Sequence, residues 1–224
     1  MFLEFHFWRY FFDRGILLQN LTETESIRGF KKRVGIVFVC TILLYIFMSS
    51  WGMTSSSLTT LYISGFTDTY IAARWVSLIG IISFAILYFC FHFFGMSQLF
   101  HIITKIPLRV AAIMQLYVIS ILLIEKFIIV LVFMLIGYTT PFSFLSFGPL
   151  AVHFLDFEFF YYFFNQFSVF TALIIAIQLQ FIRKFTDLSS KVILALLFSL
   201  LILFAAITGL ISVLPIEEFI GGLL

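Results

Sequence analysis

The stretch VGIVFVCTILLYIFMSSW, residues 34–51, runs through eighteen positions without a charged side chain. A helix there is apolar on every face, which a soluble fold tolerates only at the centre of a large core. Three more segments share the property, about 75–94, about 165–182 and about 192–214, and a span lying within 110–137 departs from it only at Glu125 and Lys126. Roughly 20 such residues cross about 30 Å of hydrocarbon. Lipid offers no partner to an unpaired peptide group, so each crossing must be helical. The expected fold class is all-α, a polytopic membrane protein of five transmembrane helices. Of 224 residues, 62% are hydrophobic and 11% charged, against about 45–50% and about 25% in soluble domains. Too little polar surface exists to coat a particle in water. The chain divides into residues 1–33, an N-terminal interfacial segment; 34–214, the transmembrane domain; and 215–224, a short outer tail.

Lys and Arg orient the spans, since they gather in cytoplasmic loops. With the N-terminus inside, Arg9, Arg14, Arg28, Lys31, Lys32, Arg33, Lys105, Arg109, Arg183, Lys184 and Lys191 all fall on the inner side. Arg74 alone lies outside, and Lys126 sits within the third apolar stretch. The opposite topology reverses this asymmetry, so the expectation is N-in, C-out. Arg9, Asp13 and Arg14 interrupt any signal-peptide core. MFLEFHFWRYFFDRGILL instead reads as an aromatic helix lying along the inner leaflet. Thr22 and Glu25 have capping-box spacing, which predicts a second helix beginning there.

The segment FLDFEFFYYFFNQF, residues 154–167, packs nine aromatic rings into fourteen positions. Residues 138–164 carry no Lys or Arg. Aromatic rings favour the membrane–water boundary, where an apolar body meets a wet edge. The segment therefore reads as an outer interfacial stretch ahead of the fourth span, or as a ledge for a partner protein or a lipid-like substrate.

Glu125 and Lys126 are the candidate functional residues, because ionisable groups at membrane depth are costly and often functional. Were the third helix to begin near Val110, the pair would approach the outer boundary, where Lys can snorkel. A start near Tyr117 would bury it deeper, facing other helices. Other polar groups have bland readings. His153, Asp156 and Glu158 can converge at most two ligands on a helix, and zinc wants three or four. His92 and His101 flank the second inner loop and suit interfacial hydrogen bonds. Asp68 with Arg74 reads as an outer-surface pair. Cys40 and Cys90, with no CxxC neighbour, read as small buried hydrophobes. Small residues mark two places for close helix contact: Gly80, Ser83 and Ala85, and Ala205, Ala206 and Gly209. No nucleophile elbow, phosphate-binding loop or dinucleotide fingerprint is present. Glu217 and Glu218 lack the following arginine that paired-glutamate intramembrane proteases use. No metal, cofactor, catalytic residue or nucleic-acid partner is expected, and the chain is not read as an enzyme.

Residues 159–214, with Asn165, Phe167 and Phe170, the loop RKFTDLSSK and Lys191, resemble the last third of Yip1-domain membrane proteins. FHFFGMSQLFHIITKIPLRVAAIMQLYVIS, residues 91–120, is similar in layout to the inner loop of that family. Gly95 stands alone where the family has a glycine pair, and Pro107 is displaced from the usual proline. The resemblance implies a non-enzymatic five-span protein acting by protein–protein association, of the bacterial kind that accompanies ABC exporters. The partners it implies are the lipid bilayer and other integral membrane proteins, exporter subunits above all, in the bacterial cytoplasmic membrane. The alternative is a small transporter or channel using Glu125 and Lys126.

Overall fold

The computed structural model describes residues 2–4, 7, 14–23, 26–53, 58 and 62–214. Helices dominate it. A three-residue parallel strand pair, β1 (Phe2–Glu4) with β2 (Ser26–Arg28), aligns Leu3 with Ile27. Between the strands lies α1 (Arg14–Glu23). Gly29, at φ 86°, turns the chain from β2 into α2 (Phe30–Ser50); that left-handed backbone suits glycine because no Cβ is there to clash. Next, α3 (Thr67–Cys90) passes through a π-helical turn, Phe91–Gly95, into α4 (Met96–Thr104). Lys105, in the left-handed region at φ 62°, ends α4. Pro107 then cannot continue a helix but can start one, and its carbonyl accepts from the amides of Val110 and Ala111 as α5 (Leu108–Ile136) begins. Gly137, at φ 83°, closes α5. Two short helices follow, α6 (Gly148–Phe154) and α7 (Glu158–Phe164), and then α8 (Val169–Phe185). The last helix, α9 (Ser190–Val213), is N-capped by Ser189, whose hydroxyl accepts from the Val192 amide at 3.4 Å.

Among the described residues four helices are long and apolar enough to cross a membrane: α2, the continuous Thr67–Thr104 rod, α5 and α9. The stretch expected to form the fourth of five spans, 165–182, is instead covered by α8, whose 17 residues rise only about 26 Å. Its helix starts at Val169 because residues 165–166 form a turn and Ser168 bridges to Ser146 just ahead of it. The second span reaches well past its expected end at 94. Gly95 does not break it, since Ser97, Phe100 and Thr104 recur at helical spacing and are buried.

The chain forms two compact units, residues 1–130 with 184–186 and residues 131–183 with 187–224. In the first, α2 and α3 pair antiparallel through rings. Phe30 meets Phe93 at 6.3 Å between centroids, Phe38 meets Phe89 at 5.0 Å, and Tyr45 meets Phe84 at 5.6 Å. The last two are edge-to-face, a geometry that contributes about 0.5–1.5 kcal/mol per pair beyond the area it buries, and Phe93 belongs to the π-helical turn. Near the end of α2, the Arg74 guanidinium donates to the Ser50 carbonyl at 3.4 Å, so it is not simply an outer-surface partner for Asp68.

The early part of α5 is covered on every face: Val110, Ala111, Ile113, Met114, Leu116, Tyr117, Ile119 and Ile121 are all buried. Part of the cover is the N-terminal segment. Phe7 stacks on Tyr117 at 5.0 Å, and the Arg109 guanidinium donates to the Leu21 carbonyl at 3.5 Å. Leu17, Leu18 and Leu21 of α1 are buried as well. The expected inner-leaflet helix over residues 1–18 is thus not continuous: residues 2–4 form a strand and Leu17 and Leu18 turn to protein, while residues 1, 5, 6 and 8–13 lie outside the described residues. Thr22 does not start a helix. It sits in the last turn of α1, its hydroxyl donating to the Gln19 carbonyl at 2.6 Å, and Glu25 lies outside the described residues.

Candidate functional site

Lys126 is half-buried, with its ammonium 5.5 Å above the centroid of the Tyr45 ring and 5.7 Å from that of Tyr88. Those rings are themselves 5.7 Å apart. The helix starts at Leu108, the earlier of the two alternative starts, which by itself favours snorkelling. Its 29 residues extend about 42 Å, so a centred α5 places Lys126 about 9 Å inside the nearer hydrocarbon edge. Tyr45 stands about 7 Å from the middle of α2 by the same rise. At that depth a bare ammonium is very costly, and the electron-rich faces of two rings replace part of its lost hydration.

The neighbourhood extends the cluster. Glu125 is adjacent in sequence and, like Tyr45, lies within electrostatic reach of Tyr88. His92 lies in the π-helical turn with its ring 4.5 Å from Tyr88, within electrostatic reach of Lys126. A π turn inserts an extra residue and re-aims the side chains around it, and such turns recur at functional sites. The two candidate residues predicted from sequence, Glu125 and Lys126, are thus joined by His92, which the sequence places beside an inner loop, and by Tyr45 and Tyr88, which it does not single out. Their arrangement holds a cation against ring faces. Elsewhere on α5, Gln115 is 1% exposed and both ends of its amide lack a hydrogen-bond partner among the described residues.

The second unit holds a polar junction. Asn165, the residue after α7, accepts through Oδ1 from the Ser143 amide at 2.9 Å and the Ser146 hydroxyl at 2.7 Å. The Phe147 amide donates to the Phe167 carbonyl at 3.1 Å. Ser168 and Thr171 cap the start of α8 reciprocally, each amide donating to the other's hydroxyl at 3.2 Å. A Cβ on Gly148 would lie 2.8 Å from Asn165 Oδ1 and 3.2 Å from its Cα, so only glycine lets the loop approach this closely. Asn165→Ala leaves the Ser143 amide and Ser146 hydroxyl without this acceptor. The expected loss is about 1–3 kcal/mol, read as a lower midpoint in thermal unfolding in mild detergent; an unchanged midpoint would remove Asn165 from any structural role.

One side of the aromatic segment is engaged within the chain, while Phe154, Phe157 and Phe160 stay exposed. Its helix α7 packs against α6 and against α9. A Cβ on Gly209 would meet the Phe159 ring and the Phe159 carbonyl oxygen, all at 2.9 Å. Ala205, one turn earlier, is buried too. Of the small-residue patch, Ala205 and Gly209 are therefore used within the chain, and Ala206 is half-buried. At the other patch Ala85 is buried, whereas Gly80 and Ser83 are exposed with open space above Gly80.

The remaining candidates disperse. His153 belongs to α6, Asp156 to an extended turn and Glu158 to the start of α7, so the helix assumed to align them is broken at residues 155–157. Among the described residues no group of three His, Cys, Asp or Glu could hold a metal. The His101 Nδ1 lies 2.6 Å from the Ile106 carbonyl oxygen, bracing the α4–α5 turn. Cys40 faces outward from α2 rather than into a core, and Cys90 is half-buried. Glu217 and Glu218 lie outside the described residues. Compared with protein-family models, curated proteins and solved structures, the chain matches none of them.

Proposed function

We propose that the chain is a non-enzymatic accessory subunit of the bacterial cytoplasmic membrane that works by binding other integral membrane proteins, with subunits of an ABC-type exporter as the expected partner. In this reading it makes five crossings, N-in and C-out. α8, with α7 ahead of it, supplies the crossing beyond the four long apolar helices, and the clustering of Lys and Arg sets the direction. The observation that carries the reading is where the polar groups at membrane depth are engaged. Lys126 faces two rings of its own chain, and Asn165 holds its own loop. Outward, α2 and α3 present Ile36, Leu43, Phe47, Val76, Ile79 and Leu87, a surface suited to lipid and to other apolar helices. The resemblance of residues 159–214 to Yip1-domain proteins points the same way. Purification in mild detergent tests it: a stoichiometric membrane partner, an exporter ATPase subunit above all, is the expected companion. A protein that emerges alone and monodisperse would defeat it.

A second reading has one specific observation in its favour. Glu125, Lys126, Tyr88 and His92 form a titratable cluster near mid-membrane, where transporters place coupling sites. For a small transporter, Glu125→Gln abolishes substrate-dependent flux in proteoliposomes. Flux that survives the substitution would retire this alternative.

A further inference from the structure

We infer that the α6–α7 pair is embedded in the lipid leaflet on its own side of the membrane, with its outward aromatic face solvated by acyl chains near the headgroups. This goes beyond the accessory role and rests only on α9 crossing the bilayer.

The first observation concerns depth. Phe159 of α7 touches α9 at Gly209, and the contact is tight enough to exclude a single methyl group. α9 has 24 residues, rising about 35 Å, so it outruns the hydrocarbon by only a few Å. Gly209 lies four residues before its last residue, Val213. A centred α9 thus puts Gly209 about 3 Å below the hydrocarbon boundary. Whatever surrounds α9 there also surrounds α7.

The second observation concerns the backbone. The loop from Ser143 to Gly148 is irregular, yet five of its six amides, all but that of Phe144, are served from within the chain. Ser143 donates to Asn165 Oδ1, Leu145 to the Ser143 hydroxyl, Ser146 to the Ser143 carbonyl, Phe147 to the Phe167 carbonyl and Gly148 to the Ser146 hydroxyl. A loop bathed in water has no such need, because water serves exposed amides. Irregular backbone in a low-dielectric setting must be satisfied internally.

The third observation concerns the outward face. Phe147, Leu150, Phe154, Phe157 and Phe160 are exposed, Phe154 by 74%. No Lys or Arg lies from 138 to 182, and the two carboxylates near this face, Asp156 and Glu158, are grouped at the α6–α7 turn. Rings below and carboxylates at one edge match the boundary between acyl chains and headgroups.

The test places one fluorophore on the exposed face. The three native tryptophans, Trp8, Trp51 and Trp75, become Phe, and Phe154→Trp is added; the ring is mostly exposed and its edge-to-face neighbour is His153. The full chain is reconstituted in phosphatidylcholine vesicles containing lipids brominated at graded depths. The expected result is blue-shifted emission, quenched about twofold by bromines about 5–10 Å below the phosphates and hardly at all by aqueous iodide. Thr140→Trp in the same background is the water-exposed control. Quenching of the Phe154→Trp variant by iodide at the rate of that control would overturn the inference in favour of a solvated loop. Resistance to both quenchers would overturn it in favour of a protein cover, whether a second copy or another subunit. Because purified chain alone is used, failure here leaves the accessory role standing, and failure of partner capture leaves this placement standing.

Discussion

Replacing both Tyr45 and Tyr88 by leucine strips the Lys126 ammonium of both ring faces, and unfolding stability in mild detergent is expected to fall by about 2–4 kcal/mol. Each single substitution removes one face, 5.5 Å or 5.7 Å from the charge, and is expected to cost about half as much. The diagnostic measurement is the double-mutant cycle with Lys126→Met. If the rings hold the cation, removing the charge costs stability in the native background and restores it in the ring-less one. A coupling of about 2 kcal/mol is expected, well above what independent sites produce. Lys126→Arg retains most of the stability, since a guanidinium stacks on aromatic faces at least as well as an ammonium. Additive effects, with no change of sign, would show that the two tyrosines merely fill space.

Gly209→Leu is the second large effect. Even a methyl group at this position would sit 2.9 Å from a backbone oxygen of Phe159, which has no rotamer by which to retreat. Overpacking in a well-filled core costs about 1–3 kcal/mol, and leucine exceeds the methyl by three more carbons. The expected outcome is displacement of α7 from α9, with a loss of about 3 kcal/mol and protease sensitivity appearing between residues 142 and 165. Phe159→Ala relieves the ring contact but not the carbonyl contact, so combining it with Gly209→Ala recovers only part of the loss. Gly80→Leu is the matched control, because nothing lies within 4 Å of a Cβ there. Equal tolerance at both glycines would rule out close packing at Gly209.

The apolar runs made the long helices legible, because a helix without a polar face needs no partner to be recognised. Where the sequence reading failed, the deciding contacts were distant in the chain. Gly95 resembled a break, yet Ser97, Phe100 and Thr104 bury one face and carry the helix past it. Asn165 looked like the start of a span, but its bonds to Ser143 and Ser146 hold it in the junction before α8. Glu125 and Lys126 could be picked out as charges in an apolar run. Tyr45 and Tyr88 could not, since nothing local distinguishes these rings from the many others in the chain. The FHFFG turn gave no sign that its helix would widen, though a histidine in an apolar helix was a hint. Local pattern reports solvent; only tertiary contact reports what a polar group is for.

The sheathing of Val110 to Ile121 also constrains how any binding screen should be designed. A helix insulated by its own chain over three turns offers no surface to a neighbour, so substitutions there change abundance before they change affinity. Alleles that separate assembly from folding belong on the outward sides of α2 and α3, at residues such as Leu43 and Val76. A loss of binding mapped only to the insulated stretch would therefore be a report on misfolding.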